Sequence, residues 1–559
     1  MRVNFLDLLT PWISFTDMAE KKSGALVLVA MIFAVSMTFI DQTIVSISVP
    51  NIQQHLGLSE TGVQWIVSGY LLAMAAIFAL GGKLADVVGH RTMLVVGILI
   101  FTVCSALCGA TPETDIAEAW IIAFRLIQGA GAAIMFPAAL AITISAFPID
   151  KRGRALAVFF GITGALTSVG PIAGGYLTEW TWRSIFWINI PIAIISLVLI
   201  WLSKPRNKKN PQPLDIRGAV IIALGMGLSV LGFQQSAIWG WDNPLTWICI
   251  VAGIVILVAF FVFENRQEFP LMRVSIFRER AFTADNLALF FLSIAFVPLF
   301  FFASMYSQIA LGWDASDAGL FLLVFFGGFV VGSQWGGRIL DSKGAKPAAI
   351  VGAILGAVGF FLWAGQMTDI DAGLGGQWIY MVMAGAGVGL MLGPVSTDAI
   401  NRAPNTSYGE ATGITQTVRN YAAAFGLAVL GTILTTQNRA NVEDKLGQLG
   451  LPKAKADEIA HAMTSAGGGN SDALSGHASS GSVEQVYHAL QDAFAHSTQT
   501  VFYVMAGVMV ACYVVAHFGM VGGKMKEIVI DGDEAPTEVA GDTVPDPGDV
   551  STEAPAEAS

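Results

Sequence analysis

The chain of 559 residues is 54% hydrophobic and only 13% charged, and its mean hydropathy is +0.64. A composition this apolar excludes an ordinary soluble enzyme of the same length. The net charge of −11 comes from ten acidic residues that follow Lys526, where no basic residue occurs, and without them the charge is −1. We expect no nucleic-acid partner, and we expect the acidic, Pro- and Ala-rich residues 522–559 to form a disordered cytoplasmic tail.

Long apolar stretches recur along the chain. Each has roughly 18 to 26 residues, which is enough for a helix to cross a hydrocarbon core about 30 Å thick. They occupy residues 24–48, 60–82, 93–110, 118–143, 153–178, 184–203, 217–236, 245–263, 282–305, 316–337, 346–366, 376–399, 408–435 and 500–521. This pattern predicts an all-α polytopic membrane protein with fourteen transmembrane helices.

The basic residues predict the orientation of these helices. Lys and Arg fall almost entirely at the two termini and in every second gap, whereas the short gaps between them hold one, Arg183. Because basic loops stay on the cytoplasmic side, both termini are expected in the cytoplasm. The expected location is the cytoplasmic (inner) membrane, which the chain crosses many times.

A loop motif after the second stretch recurs after the tenth. The two copies match at an offset of 255 residues in a Gly, an Asp, a second Gly and a base: Gly82, Asp86, Gly89 and Arg91, then Gly337, Asp341, Gly344 and Lys346. Such a repeat indicates a duplicated bundle. The Asp and the bases could act as electrostatic latches at helix ends. The alternative is a tight cytoplasmic turn whose bases only set the topology.

The repeat defines the expected domains. Residues 1–23 form a cytoplasmic N-terminus, 24–203 a six-helix bundle, 204–281 an inserted helix pair with cytoplasmic linkers, and 282–521 a second six-helix bundle. The one long external loop is 436–499, in which residues 482–499 have the pattern of an amphipathic helix. The remainder of that loop is expected to be a solvated cap.

Asp41 and Arg125 are charged residues within apolar stretches, where charge is costly and usually functional. Counting 1.5 Å per residue places both at a similar depth in the outer half of the membrane. Such a carboxylate can exchange a proton if burial and the nearby cation tune its pKa. The alternative, a permanent structural ion pair, stays open.

Small residues also occur at particular positions within the apolar stretches. Gln128 and Gly129 follow Arg125, and the fifth stretch contains Gly170-Pro171 and Gly174-Gly175. Glycines allow close helix contact, and Pro171 is expected to kink its helix. Packing without any further role is the alternative.

Motifs for enzymatic chemistry are missing from the sequence. It contains no Walker A sequence, no His-Glu-x-x-His and no Gly-x-Ser-x-Gly, so ATP-driven pumping and common hydrolase mechanisms lack support. The four cysteines all lie within apolar stretches and imply no disulfide framework. We expect that the protein is not an enzyme and that it has no metal site and no cofactor. An ion gradient remains as the expected energy source.

These motifs together resemble the major facilitator superfamily, and specifically its fourteen-helix drug:proton antiporter branch. The resemblance covers nearly the whole membrane body. It rests on the run from Asp41 to Pro50, the Gly82–Arg91 loop, Arg125 with Gln128 and Gly129, and the span-5 glycines with Pro171, together with Trp182-Arg183, Leu214-Asp215 and Pro270-Leu271. Ser46 departs from the usual Asn, and Val87-Val88 departs from the usual basic-aromatic pair, which weakens the expected latch.

The resemblance implies two six-helix bundles that rock about a central cavity, with helices 7 and 8 as an added pair. It implies proton-coupled export of hydrophobic or amphipathic small molecules, with Asp41 as the protonated acid and Arg125 beside it. By family position and helical spacing, the cavity candidates are Trp65, Tyr70, Asn286 and Gln416. Asp398 and Arg419 could pair in a gate or could simply be solvated at helix ends.

Three readings of the function remain open at this point. One is a multidrug exporter that contacts membrane lipids, works as a monomer and is driven by a proton gradient, although sodium coupling is not distinguished by sequence. The second is a dedicated exporter of one endogenous metabolite or lipid, which would share the same scaffold. The third is a transport-inactive receptor or scaffold, against which the intact Asp41, Arg125 and Gly170-Pro171 argue.

Overall fold

The computed structural model describes residues 20–147, 155, 158–160, 162–164, 166–207, 209, 213–403, 408–449 and 480–523. Within these residues every regular element is a helix, and fourteen helices are long and apolar enough to cross a membrane. The predicted fold class is therefore confirmed. The predicted N-terminal segment lies mostly, and the predicted acidic tail almost entirely, outside the described residues.

The spanning helices are labelled in chain order. They are α1 (Gly24–Leu56), α2 (Glu60–Val88), α3 (His90–Gly109), α4 (Ala117–Ser145), α5 (Val158–Trp180), α6 (Ser184–Ser203), α7 (Ile216–Trp239), α8 (Pro244–Glu264), α9 (Arg280–Ala310), α10 (Ala315–Lys343), α11 (Ala345–Gln366), α12 (Gly373–Asn401), α13 (Glu410–Gln448) and α14 (Gln485–Gly519). The helices of α1, α13 and α14 begin slightly earlier, at Glu20, Tyr408 and Ser480.

Some spans change their helical form along their length. α6 consists of the helices Ser184–Trp187 and Asn189–Ser203, while α9 and α14 end in π-helical turns at Tyr306–Ala310 and Val515–Gly519. A 3₁₀ helix, Val274–Arg278, precedes α9. The face of the helical body at which α1 begins is called the terminal face below, and the opposite face is called the distal face.

Side-chain caps define several helix starts. Ser59 accepts a hydrogen bond from the amide of Gly62 at 2.9 Å, and Asp215 accepts one from the amide of Gly218 at 2.8 Å. α8 begins with Asn243 as its cap and Pro244 in its first turn. These residues satisfy amide groups that have no partner inside the helix, which is why short gaps are enough to separate the spans.

The helices pack as two bundles with the same internal arrangement. In the first, α4 packs against α2 and α3, and α1 packs against α5 and α6. In the second, α12 packs against α10 and α11, and α9 packs against α13 and α14. Each pairing in the second bundle is the first-bundle pairing with the helix number raised by eight. The loop repeat therefore corresponds to a repeated bundle, with α7 and α8 between the copies.

The repeated loop has the same backbone geometry in both bundles. Gly89 ends α2 with a φ of 118°, and Gly344 ends α10 with a φ of 87°. The next helix begins at the following residue in each case, His90 or Ala345. Only glycine adopts this region of φ readily, which explains the second glycine of each motif.

The helix pair α7–α8 contacts both bundles through α7. Gln234 accepts a hydrogen bond from Ser68 of α2 at 3.0 Å, and Ser229 bonds to Tyr421 of α13 at 2.8 Å. Thr432 of α13 also donates to the Phe233 carbonyl at 2.7 Å. The outer helix α8 leaves many large apolar side chains exposed, as expected for a face that meets lipid.

The segment predicted as an external loop at 436–499 is partly helical. The α13 helix continues to Gln448 without a break, and the α14 helix begins at Ser480, which includes the predicted amphipathic helix. The two extensions pack together through a small apolar cluster that includes Val442, Leu446 and Leu490. Lys445 and Asp492 form an ion pair between them. This apolar stripe and the ion pair stabilise helix beyond the apolar spans, so the segment predicted as external begins and ends in helix.

Candidate functional site

Asp41 on α1 and Arg125 on α4 are in contact inside the first bundle. The Arg125 Nη1 atom lies 2.5 Å from Asp41 Oδ2, and Gln128 Nε2 donates to Asp41 Oδ1 at 2.9 Å. Arg125 Nη1 also donates to Gln128 Oε1 at 2.9 Å. The side chains of Asp41 and Arg125 are at most 1% exposed. Each carboxylate oxygen therefore has one donor, which is the arrangement that a buried charge requires.

Arg125 has two further partners on α2. Its Nε donates to the Ile66 carbonyl at 2.8 Å, and its guanidinium carbon lies 4.3 Å from the centre of the Tyr70 ring. Gly129 allows this approach, because a Cβ there would meet the Tyr70 carbonyl oxygen. The predicted pairing of small residues with the arginine on α4 thus brings α2 and α4 together.

Tyr70 does not line the cavity described below. It is fully buried against Arg125 and lies edge-on to Phe101 of α3, with centroids 6.5 Å apart. The sequence-based assignment of Tyr70 to the cavity is corrected here: its side chain points into the first bundle because the guanidinium of Arg125 lies on that side of α2. Its ring instead supplies a cation–π contact to the buried charge.

The glycines of α5 contact two different helices. A Cβ at Gly170 would clash with Thr43 of α1, and one at Gly174 would lie 3.1 Å from Ile44. A Cβ at Gly175 would lie 2.7 Å from the Ala315 carbonyl oxygen of α10, in the other bundle. α5 therefore packs within its own bundle through one pair of glycines and across to the second bundle through Gly175.

Pro171 lies three residues after a turn in α5. The regular helix Val169–Trp180 begins directly after Ser168, so Pro171 is in its first turn, where an amide group is not needed for helix bonding. The predicted distortion therefore occurs just before the proline.

The Asp of the first loop motif pairs within its own motif. Asp86 Oδ1 lies 2.9 Å from His90 Nε2, one helical turn ahead, and the Arg91 amide donates to Asn207 Oδ1 at 3.0 Å. A Cβ at Gly89 would clash with Asn207, while Gly82 has only Pro137 nearby at 3.7 Å. Asp341 is exposed and belongs to no ion pair among the described residues. No described ion pair links Asp86 or Asp341 to the opposite bundle.

A cavity of about 70 Å³ lies between the two bundles, with room for a few water molecules. Each bundle contributes four helices to the cavity wall. These are α1, α2, α4 and α5 from the first bundle and α9, α10, α12 and α13 from the second. The lining residues are Thr38, Phe39, Gln42, Thr43, Met74, Phe136, Gly164, Thr167, Ser293, Phe296, Val297, Phe300, Phe329, Leu392, Gln416, Arg419 and Asn420. Of the four residues assigned to the cavity from sequence, Gln416 is among them.

Trp65 and Asn286 lie elsewhere. Trp65 is half-buried against the apolar core on α2, a turn and a half before Tyr70. Asn286 is buried near the start of α9 and donates to the Phe282 carbonyl of its own helix at 2.9 Å. Both assignments to the cavity are corrected: the cavity meets α2 at Met74 and α9 at residues 293–300, two or more turns further along each helix.

Three charged residues meet near the terminal face of the second bundle. Arg402 Nε donates to Asp398 Oδ2 on α12 at 2.8 Å, and the buried Asp285 of α9 lies near both, with no hydrogen-bond partner for either of its carboxylate oxygens in the described structure. Arg402 also donates to the Gly523 carbonyl at 3.1 Å. The suggested pairing of Asp398 with Arg419 is therefore wrong in this conformation. Asp285 was not singled out from the sequence, although it is a carboxylate only five residues after the start of α9 at Arg280.

The bundles touch each other directly on the distal side of the cavity. Gln308 of α9 donates to the Ile47 carbonyl of α1 at 2.8 Å and accepts from Asn51 at 3.3 Å. On the other side, a Cβ at Gly319 of α10 would clash with the Pro171 carbonyl of α5. These contacts close the distal end of the cavity between the bundles.

The described part of the chain holds no cluster of three or more His, Cys, Asp or Glu side chains that could bind a metal ion. Its four cysteines are unpaired and buried within the helices. What the arrangement offers chemically is thus a buried ion pair near a small cavity that both bundles share.

Comparisons with solved structures match this architecture. A bacterial homologue of the human lysosomal transporter Spinster, in an inward-facing and unoccupied conformation, aligns with a TM-score of 0.60. The alignment covers 90% of this chain and 99% of that chain at 16% identity. A D-xylose–proton symporter aligns with a TM-score of 0.53 over 73% of this chain and 90% of that chain, at 15% identity. At these identities the likeness shows the fold.

Sequence comparisons give the family. The chain is 32% identical to the tetracenomycin C resistance and export protein of Streptomyces glaucescens over 78% of its own length and 80% of that protein. It is 32% identical to the cephamycin export protein CmcT of Amycolatopsis lactamdurans over 72% of its own length and 84% of that protein. The family model of the Major Facilitator Superfamily matches residues 31–427. With this match and the two-bundle fold, the chain belongs to the Major Facilitator Superfamily of membrane transporters.

Proposed function

We propose that the protein is a proton-coupled antiporter that exports hydrophobic or amphipathic small molecules by alternating access. The observation that carries this proposal is the position of Asp41. It forms the buried ion pair with Arg125, and the next residue on α1, Gln42, lines the central cavity. A change at the carboxylate is therefore transmitted along one helix to the wall of the cavity.

The ion pair provides a physical basis for coupling. Protonation removes the charge of Asp41, and with it the attraction that holds α1 against α4 through Arg125 and Gln128. Breaking a buried pair costs roughly 3–5 kcal/mol when one partner stays charged. A proton and a substrate that favour different arrangements of these helices supply the differential affinity that antiport requires.

The contacts between the bundles support alternating access. Where α1 meets α9 and where α5 meets α10 on the distal side, the described contacts involve glycines and single polar side chains. Such an interface can open when the bundles rotate. The cavity then widens, because its walls belong to both bundles. Because the cavity has room for only a few water molecules, an aromatic compound needs this separation to enter.

The basic residues give the proposed orientation. With the terminal face in the cytoplasm, this conformation closes the cavity on the outer side of the inner membrane, and export begins from the cytoplasm. The exposed apolar side chains on α7 and α8 meet lipid, and each monomer contains a complete cavity, so a monomer is the proposed functional unit.

Multidrug export is the primary reading, and a dedicated exporter is the second. Among the relatives, the multidrug transporter protein MdtP of Bacillus subtilis is 29% identical over 76% of this chain, while the two proteins above are named for single compounds. The apolar, aromatic lining of the cavity suits many amphipathic compounds.

Proteoliposomes with purified protein test the proposal. An acidic lumen should drive accumulation of a permanently charged dye, anilinonaphthalene sulfonate or ethidium, and nigericin should abolish it by collapsing the pH gradient. Protein-free vesicles are the control. Accumulation driven by an imposed sodium gradient, with no response to the pH gradient, would contradict proton coupling.

A further inference from the structure

Arg419 of α13 brings a positive charge to the wall of the central cavity. Its Nη1 donates to Gln416 Oε1 at 2.9 Å, one turn earlier on the same helix. Its Nε is buried and has no hydrogen-bond partner. A buried guanidinium with an unused donor is costly unless something supplies an acceptor.

No acidic residue of the described chain offsets this charge. Two other arginines of the helical body do have carboxylate partners: Arg125 pairs with Asp41, and Arg402 pairs with Asp398. Arg419 takes part in no ion pair among the described residues, and the cavity lining contains no Asp or Glu. The cavity therefore carries one positive charge and no negative one.

A second unused donor lies beside the first. Asn420, the next residue of α13, also lines the cavity, and its Nδ2 is buried without a hydrogen-bond partner. Two adjacent residues thus present unsatisfied N–H groups from the same helix at one cavity. This is a donor-rich, electropositive site, which an anion with several acceptor oxygens would satisfy.

Five phenylalanines also line the cavity, among other apolar and polar side chains. Phe39 and Phe136 line it from the first bundle, and Phe296, Phe300 and Phe329 line it from the second. The Phe296 and Phe329 rings are nearly parallel, at 11° with centroids 5.6 Å apart, and belong to different helices, α9 and α10. Such faces bind a planar ring system through dispersion and stacking.

We propose that the cavity selects anionic aromatic compounds, whose carboxylate, sulfonate or phenolate group binds at Arg419 and Asn420 while the rings lie among the phenylalanines. The proposal rests on the proposed export function and specifies its substrate class. The ligand supplies the counter-charge that the protein itself does not, so binding removes the cost of the unpaired guanidinium. The same charge disfavours lipophilic cations.

Two dyes separate charge from shape. Anilinonaphthalene sulfonate and phenylnaphthylamine share the same rings and differ in the sulfonate, and ethidium is an aromatic cation. Equilibrium binding to the purified protein should favour the sulfonate dye over the other two. Arg419→Gln should weaken sulfonate binding by about tenfold to a hundredfold and change phenylnaphthylamine binding less than about twofold. Arg419→Lys should keep most of the sulfonate preference, because it keeps the charge.

Each alternative outcome overturns the proposal. Equal losses for both dyes in Arg419→Gln would show a structural role, and unchanged sulfonate binding would place the anion elsewhere. Size-exclusion profiles identify a variant that fails to fold, and Asn420→Leu then provides the second test, with the same expected direction. Stronger wild-type binding of ethidium also overturns it. Binding needs no gradient, so a transporter that selects the sulfonate dye but fails to concentrate it refutes the proposed coupling and leaves the substrate class standing.

Discussion

Asp41 has a hydrogen-bond donor at each of its carboxylate oxygens, Arg125 at one and Gln128 at the other. Helical rise alone puts Asp41 and Arg125 at the same depth, and the structure brings them into contact. The same count does not tell which way a side chain points around its helix axis. Tyr70 was assigned to the cavity on spacing, yet it faces Arg125, because rotation of α2 is set by its neighbours and not by its own sequence.

Direction around the helix also explains why Arg419 was not assigned to the cavity from sequence. Its place on α13 suggested a gate with Asp398, but Asp398 has a nearer partner one turn along its own helix, Arg402. Arg419 and Gln416 are three residues apart and share one helix face. Knowing that Gln416 faces the cavity would have placed Arg419 there as well.

The Asp285–Asp398–Arg402 cluster gives a prediction at the residue scale. Two buried acids face one guanidinium, so Arg402→Gln leaves two carboxylates together without a cation, and the melting temperature of the purified protein should fall. Adding Asp285→Asn to that variant should recover part of the loss, because one of the acids is gone. Asp285→Asn alone completes the comparison. If the change in melting temperature of the double variant equals the sum of the changes in the two single variants, the two sites do not interact.

At the scale of elements, the fourteen helices follow directly from hydropathy, because a membrane span must satisfy its own backbone and therefore forms a helix. How far two of these helices extend depends on long-range contacts. α13 and α14 extend beyond the apolar spans because Val442, Leu446 and Leu490 pack together and Lys445 pairs with Asp492. These contacts join residues about 40 to 50 positions apart, which local periodicity does not detect.

The α5 glycines give a prediction at the same scale. A Cβ added at Gly175 would lie only 2.7 Å from the Ala315 carbonyl oxygen of the opposite bundle. Gly175→Leu should therefore hold the distal ends of α5 and α10 apart. Labelling of a cysteine introduced near Ala315 by a membrane-impermeant reagent should then increase. The control is Gly227→Leu on α7, where an added Cβ meets nothing within 4 Å. Equal labelling in the two variants would exclude α5 from the closing contact.

At the scale of the whole molecule, the loop repeat predicts the duplicated bundle, and the helix pairings repeat with an offset of eight helices. The domain boundaries at 24, 204 and 282 fall close to helix starts or in linkers between spans. The position of α7 against both α2 and α13 could not be predicted from the sequence. It depends on polar side chains such as Gln234 and Ser229 finding partners in other helices.

The acidic tail gives a prediction for the intact protein. All ten excess acids follow Lys526, and their removal leaves the charge of the membrane body unchanged. Truncation after Lys526 should therefore keep dye transport within about twofold of wild type, as the Pro-, Ala- and acid-rich composition of the tail predicts. Complete loss of transport with normal membrane insertion would assign the tail a gating or partner-binding role.

The most direct test of proton coupling at Asp41 compares two transport modes in one preparation. Asp41→Asn retains the shape of the side chain and removes its exchangeable proton, so proteoliposomes with this variant should equilibrate the sulfonate dye down its own gradient. They should fail to concentrate it when the lumen is acidic, whereas wild type concentrates it and Asp41→Glu keeps a measurable part of that activity. If Asp41→Asn concentrates the dye as wild type does, with the same dependence on the pH gradient, the coupling proton binds elsewhere and the central claim is wrong.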